Sequence, residues 1–300
     1  MNQNQKFLTT LLVVFTLAFI GYAFADQPLE TESAHPPPAG QIEIELTGEY
    51  QTSPDGQELA IPLAIEYGIT KDLFVIVEPT PYTAILPWTV YRSKVINHYK
   101  TINGQVARDE LGHIIVWKEN QPTNRADGLG DIEATGVLRF VRETKYLPDL
   151  AIAGEIKFPT AHNVLIGTGQ IDYTAYFIIS KLIGPVDIHL NAGYTVLGPI
   201  PGVTLHNQFD YAAAFEWYIN KRFNFVGEVI GNTAAMKNVE GTGHSNSATA
   251  VTSEVSGGEL AGMLGMRVHF SHGISLAFGV SYDNTGALLV RPGLTWAFIP

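Results

Sequence analysis

The 300-residue sequence has no cysteine, so neither a disulfide framework nor a thiolate metal site can hold it together. Charge is also scarce, at 16% of residues, and it leans one way: 29 acidic against 18 basic side chains give a formal net charge of −11. Nucleic acid and anionic headgroups would repel such a chain, which removes both as partners. Beyond the first residues no apolar run approaches the about 20 residues that a membrane-spanning helix needs, so a helical membrane protein is excluded. No Gly-x-Ser-x-Gly elbow is present. His98, His113, His162, His206 and His244 are dispersed over loop-like stretches without metal-ligand spacing, and no cofactor is implied.

What is present begins with a targeting signal. Lys6 precedes an apolar run from Phe7 to Ile20, and Ala23-Phe24-Ala25 then supplies a small-x-small cleavage site. Residues 1–25 therefore read as a secretory signal peptide, and the mature chain is expected to start at Asp26. Residues 26–40 (DQPLETESAHPPPAG) are polar and proline-rich, which predicts a flexible or extended lead-in. The structured domain is expected over 41–300.

From Ile42 onward the period is two. Ile42, Ile44, Leu46 and Tyr50 share one face, with Glu43, Glu45, Thr47 and Glu49 on the other. The rhythm returns at 61–67, 73–77, 132–140, 150–158, 171–179, 186–196, 209–217, 223–229, 260–270, 274–282 and 288–298. Tight turns near 68–72, 182–185, 220–222 and 271–273, with a slightly longer one at 143–148, alternate with longer connections at 51–58, 80–127, 160–169, 198–206, 232–258 and 283–286. A soluble sandwich alternates too. Here Tyr67, Phe140, Phe158, Tyr194, Trp217, Phe223, Phe270, Tyr282 and Phe298 fall near strand ends, where amphipathic rings would form interfacial girdles. The expected fold is all-β: an antiparallel transmembrane barrel of about 12 strands, with short periplasmic turns and long extracellular loops. Its place is the outer membrane of a Gram-negative bacterium, in contact with lipid. Within the long insertion at about 80–127, the stretch 88–124 contains Thr89-Val90-Tyr91 and His113–Trp117, which suit a hairpin over the barrel mouth.

The stretch GLGDIEATGVLRF (Gly128–Phe140) opens with glycines that invite a phosphate-loop reading. It lacks the third glycine and the following helix of a dinucleotide fingerprint, and it offers too few oxygens for a calcium loop. The glycines instead suit a chain turning out of a loop into a strand. Together with LAIAGEIKFPTA (Leu150–Ala161), IGTGQIDYTAYFIISK (Ile166–Lys181) and HLNAGYTVLG (His189–Gly198), this stretch resembles the meta-pathway phenol-degradation family of outer-membrane proteins, often described as transporters. The resemblance covers the middle of the chain. It implies a barrel and uptake of aromatic compounds, and it carries over no catalytic residue.

If the apolar face meets lipid, the other face lines a lumen. That phase turns Glu43, Glu45, Glu66, Glu133, Glu155, Asp172, Asp187, Asp210, Glu216 and Glu228 inward, with Arg139, Lys157, Arg267 and Arg291. A predominantly acidic lumen favours cations over anions. The same charges could instead form hydrogen-bonded networks that fill a narrow barrel. The function expected is passive uptake of a small molecule, with aromatic compounds as one candidate class, in a barrel inserted by the barrel-assembly machinery. The alternatives are a non-conducting barrel that binds a ligand or serves a structural role, and a lipid-modifying enzyme built on His269 and Ser271.

Overall fold

The computed structural model describes residues 29–54, 56–91, 118–122, 125–163, 166–200, 204–235 and 258–300. The segment read as a signal peptide and the centre of the 88–124 insertion lie outside the described residues. So do His98, His113 and His244. Among the described residues no helix is long and apolar enough to cross a membrane.

Four strands are built from pieces. β1 (Ile42–Thr47) and β2 (Glu49–Ser53) continue one another across Gly48, and β3 (Gly56–Ile61) and β4 (Leu63–Gly68) across Pro62. β5 (Leu73–Pro79) runs on into β6 (Tyr82–Tyr91), while β7 (Lys118–Pro122) and β8 (Ala126–Gly128) lead into β9 (Ile132–Val141). Eight more strands cross in one piece. They are β10 (Asp149–Phe158), β11 (Asp172–Ile183), β12 (Val186–Val196), β13 (Gln208–Tyr218), β14 (Phe223–Asn232), β15 (Leu260–His269), β16 (Ile274–Asp283) and β17 (Leu288–Phe298). All neighbours pair antiparallel, and β1 closes on β17 with Ile42 opposite Phe298. The result is a closed barrel of twelve spanning strands without a free edge, the arrangement that satisfies every ladder hydrogen bond in a medium without water.

The breaks in the composite strands step around the wall. Pro292 in β17 offers its carbonyl to Gly48 N (2.9 Å), Pro62 accepts from Thr47 N (3.1 Å), and Thr80 accepts from Gly130 N (2.9 Å). Each proline removes a ladder donor, so pairing lapses there and resumes in the next piece. This accounts for GLGD. A Cβ at Gly130 would sit 2.7 Å from the Thr80 Cβ, so only glycine lets the chain pass Thr80 at the break. Asp131 accepts from Ala161 N (2.9 Å) and ties the 160–169 connection to the wall.

The strands also run further than their alternation reveals. The connection expected at 51–58 is a tight hairpin with Ser53 opposite Gly56, and the insertion expected as loop from residue 80 is strand through Tyr91 and again from Lys118 to Pro122. In β2 and β3 the residues Glu49, Gln51, Thr52, Gln57 and Glu58 are polar on both faces, so these strand ends carry no period-two signal.

The two faces differ sharply. Outward residues are apolar and exposed, among them Leu264 (60%), Leu138, Phe278, Ile152 and Val229, as a lipid-facing surface requires. Exposed aromatic rings gather at both rims. Tyr67, Phe140, Trp217, Phe223 and Phe270 stand at the end with the short turns, while Phe158, Tyr173, Tyr194, Phe209 and Tyr282 stand at the end with the long connections. At the short-turn end, His272 (φ 69°) and Gly273 (φ 71°) both take left-handed backbone conformations to reverse the chain between β15 and β16.

Candidate functional site

Inward positions of the strands carry the charges. Glu43, Glu45, Asp172, Asp187, Glu216, Glu228, Arg267 and Arg291 are buried, and Glu66, Glu133, Arg139, Glu155, Lys157 and Asp210 are half-buried. They fall into layers along the barrel axis.

Near the short-turn end, Arg267 (2% exposed) meets Glu216 at 2.6 Å. Asn224 Nδ2 also donates to Glu216 Oε1 (2.8 Å) and contacts His269 Nε2 (2.7 Å), while His269 Nδ1 lies 2.8 Å from Ser275 Oγ. His269 is thus engaged by Ser275 rather than by Ser271, which sits exposed in the turn, so the pairing required for an enzyme on His269 and Ser271 is not formed. At the same rim Arg139 binds Asp72 and Asp149. Truncating one partner of a buried ion pair leaves the other charge uncompensated. Glu216→Ala is therefore expected to destabilise the barrel by about 3 kcal/mol in urea-unfolding titrations in lipid vesicles.

Inside this wall lies the segment that the sequence marks as a lead-in. Residues 29–40 do not trail away from the barrel. Glu30 and Thr31 donate their backbone N–H groups to the Glu228 carboxylate on β14 (2.5 to 3.1 Å), and the Thr31 hydroxyl donates to it as well. Ala34 N donates to Ser180 Oγ on β11 (2.8 Å), and Asn191 Nδ2 on β12 donates to the Glu32 carbonyl (3.2 Å). Glu30 also pairs with Arg291 on β17. A single segment bonded by strands on opposite sides of the ring must lie in its interior. Its composition offers little apolar surface of its own, and the inward charges supply the partners that make its burial possible.

The segment also meets two apolar patches. Leu29 packs with Ala214, Val226 and Met263, and Ala34 with Phe74, Ile76, Val137, Ala151, Ala153 and Ile178. At the short-turn end its path presses on β4: a Cβ at Gly68 would lie 2.4 Å from the Pro38 carbonyl oxygen and 2.9 Å from that of Pro37. His35 bridges two wall carboxylates, with Nδ1 2.7 Å from Asp149 Oδ2 and Nε2 3.1 Å from Asp187 Oδ2. Burial alone would lower its pKa, but hydrogen bonds and charge from Asp187 and Asp149 outweigh burial and push the value up to about 9.

Towards the long connections the lumen opens into a cavity of about 420 Å³. Nine carboxylates line it (six Glu and three Asp), against Lys157 and Arg291 as the two cations. Of the charges read from sequence, Glu133, Glu155, Lys157, Asp172, Asp210 and Arg291 reach this cavity. Glu43, Glu45, Glu66, Arg139, Asp187, Glu216, Glu228 and Arg267 do not; they belong to the layers around the N-terminal segment or below it. Lys157 pairs with Asp172, and Arg291 with Glu49 (2.8 Å), so both cations are already neutralised within the wall. Glu155 is held by Thr135, Thr174 and Tyr176, and Asp210 by the Thr195 hydroxyl (2.6 Å).

The phase of the strands also turns Asp149, His189, Asn191 and Asn224 inward, beyond the positions expected from the sequence. His189 stands two residues after Asp187, a spacing that could have found it.

A closed ring with an apolar outside, two aromatic rims and a charged inside leaves one architecture. It is that of an outer-membrane barrel. The chain is similar to the crystal structure of the COG4313 outer membrane channel from Pseudomonas putida F1, with a TM-score of 0.59 over 90% of this chain and 100% of that one, at 9% sequence identity. Weaker likenesses join it to the NanC porin (TM-score 0.49, 9% identity, 84% of this chain and 98% of that one) and the KdgM porin (0.48, 6%, 84% and 98%). At these identities the likeness is one of fold. No protein-family model matches the sequence, and no curated protein matches it.

Proposed function

We propose that this chain is a passive outer-membrane channel for small molecules, whose acidic cavity favours cationic solutes and whose lumen is narrowed by residues 29–40. The observation that carries the reading is the pairing state of the cavity: its two cations are bound to wall carboxylates, which leaves an excess of negative charge facing the space a solute would enter. Such a lining raises the local concentration of cations and excludes anions. An aromatic cargo enters this reading through the resemblance to the phenol-degradation family alone. The polar lining supports an aromatic solute that carries an amine or hydroxyl group better than a plain hydrocarbon, which would gain little from carboxylates.

Swelling of liposomes that contain the refolded chain tests this directly. Lysine-sized cationic solutes are expected to enter several-fold faster than glutamate-sized anionic ones at low ionic strength, and the difference should shrink as salt screens the carboxylates. Equal rates for both would remove the acidic cavity from the mechanism. Absence of swelling with any solute would favour a closed, ligand-binding barrel.

A further inference from the structure

We infer that His35, Asp187 and His189 form a binding site for a divalent transition-metal ion of the zinc class, which fastens the N-terminal segment to the barrel wall. Each of the three offers one ligand atom, and the three atoms lie within 4.8 Å of one another. Two imidazoles and one carboxylate are a donor set suited to zinc and its neighbours rather than to calcium or magnesium.

The arrangement around these donors is that of ligands already oriented. His35 directs Nδ1 at Asp149 Oδ2 (2.7 Å), which leaves Nε2 facing Asp187. His189 directs Nδ1 at Ser180 Oγ (2.8 Å), which leaves its Nε2 as the nitrogen available to an ion. A histidine whose second nitrogen is held by a carboxylate or hydroxyl has its tautomer and ring orientation fixed, as in known metal centres. The two rings meet edge to face, with centroids 5.8 Å apart.

A second observation points the same way. Asp187 is 5% exposed, and its Oδ1 has no hydrogen-bond partner among the described residues, while Oδ2 meets His35. A buried carboxylate oxygen without a donor carries a desolvation cost that a cation would relieve. A tetrahedral zinc site sets its donor atoms roughly 3.3 Å apart, a spacing within the 4.8 Å that bounds these three. The other histidine-containing cluster, His35 with Glu143 and Asp149, is less suited. Asp149 already accepts from Arg139 and from Glu143 N (2.6 Å), and Glu143 is bound by Lys181 (2.7 Å).

His35 comes from the segment inside the barrel, and Asp187 and His189 come from β12, so the ion would join plug to wall. The inference does not depend on whether the barrel conducts, because binding itself is read. The refolded chain from Asp26 onward, freed of metal with a chelator, is titrated with Co²⁺ at pH 8, where the ion must displace the proton that Asp149 and Asp187 help to hold on the His35 ring. A visible d–d absorption band should saturate at one equivalent and be displaced by Zn²⁺. His189→Gln should weaken Co²⁺ binding at least tenfold, with the folded barrel verified by its heat-modifiable mobility on gels. His35→Gln, which lies off the barrel wall and so leaves the strands intact, should do the same. No band with the unaltered chain, or equal affinity in it and in both variants, would overturn the site.

Discussion

A chain that begins at Gly40 is expected to conduct several-fold more current per channel than one that begins at Asp26. The expectation follows from where residues 29–40 lie. Thr31, Ser33 and Ala34 are buried inside the ring, held by Glu228, Ser180, His35 with its two carboxylates, and Arg291. Removing the segment takes away chain from the cross-section but no wall hydrogen bond, because β1 keeps its pairing with β17 and β4. The barrel should therefore still close. Gly68→Val offers a version of the same test without truncation. Its side chain would enter the space of the Pro37 and Pro38 carbonyls, 2.9 and 2.4 Å from the added Cβ, and so push the base of the segment rather than the strand. An increase in single-channel conductance smaller than that of the truncation is the expected result. Unchanged conductance in both variants would mean that the segment does not limit the pore.

The second large effect is expected from the cavity. Replacing Glu133, Glu155 and Asp210 together by Gln, Gln and Asn removes three of nine carboxylates and leaves Lys157 and Arg291 in place. The amides keep the size of the acids: in Glu155→Gln the amide oxygen accepts from one of Thr135 and Thr174 and the amide nitrogen donates to the other, and in Asp210→Asn the oxygen still accepts from Thr195, so the fold is preserved. The cation-to-anion permeability ratio should fall several-fold, measured from reversal potentials in a salt gradient. A matched change at Glu216 would disturb the fold instead, since this acid is committed to buried Arg267, and one at Glu228 would loosen the N-terminal segment, whose Glu30 and Thr31 N–H groups it accepts.

Much of this was legible in the sequence because strand side chains alternate. Glu216 between Phe215 and Trp217, and Arg267 between Met266 and Val268, show by phase alone that they face away from the lipid, and the structure brings the two together at 2.6 Å. Alternation fails where both faces are alike. Leu73, Val75 and Val77 give β5 its outward phase, but Phe74 and Ile76 between them are equally apolar, so nothing in the sequence marks the inner patch on which Ala34 rests. The ends of β2 and β3 are polar on both sides and read as loop.

The interior course of residues 29–40 was not legible for a different reason. Nothing in DQPLETESAHPPPAG has a periodic face, and what orders it is supplied by side chains up to 261 residues away, as in the contact of Glu30 with Arg291. A polar segment reads as disordered when its partners cannot be seen. The same distance in sequence hides the cluster of His35 with Asp187 and His189, whose members become neighbours only when the ring closes around the segment.

On the proposed reading, this ring encloses a water-filled path in which carboxylates outnumber cations. The measurement that tests it most directly is the reversal potential of the refolded chain in a planar bilayer under a potassium chloride gradient. Discrete current steps whose reversal potential has the sign of potassium preference, and which moves towards zero at high ionic strength, are the predicted result. A reversal potential at zero or of the sign of chloride preference, from steps of the same protein, would contradict it.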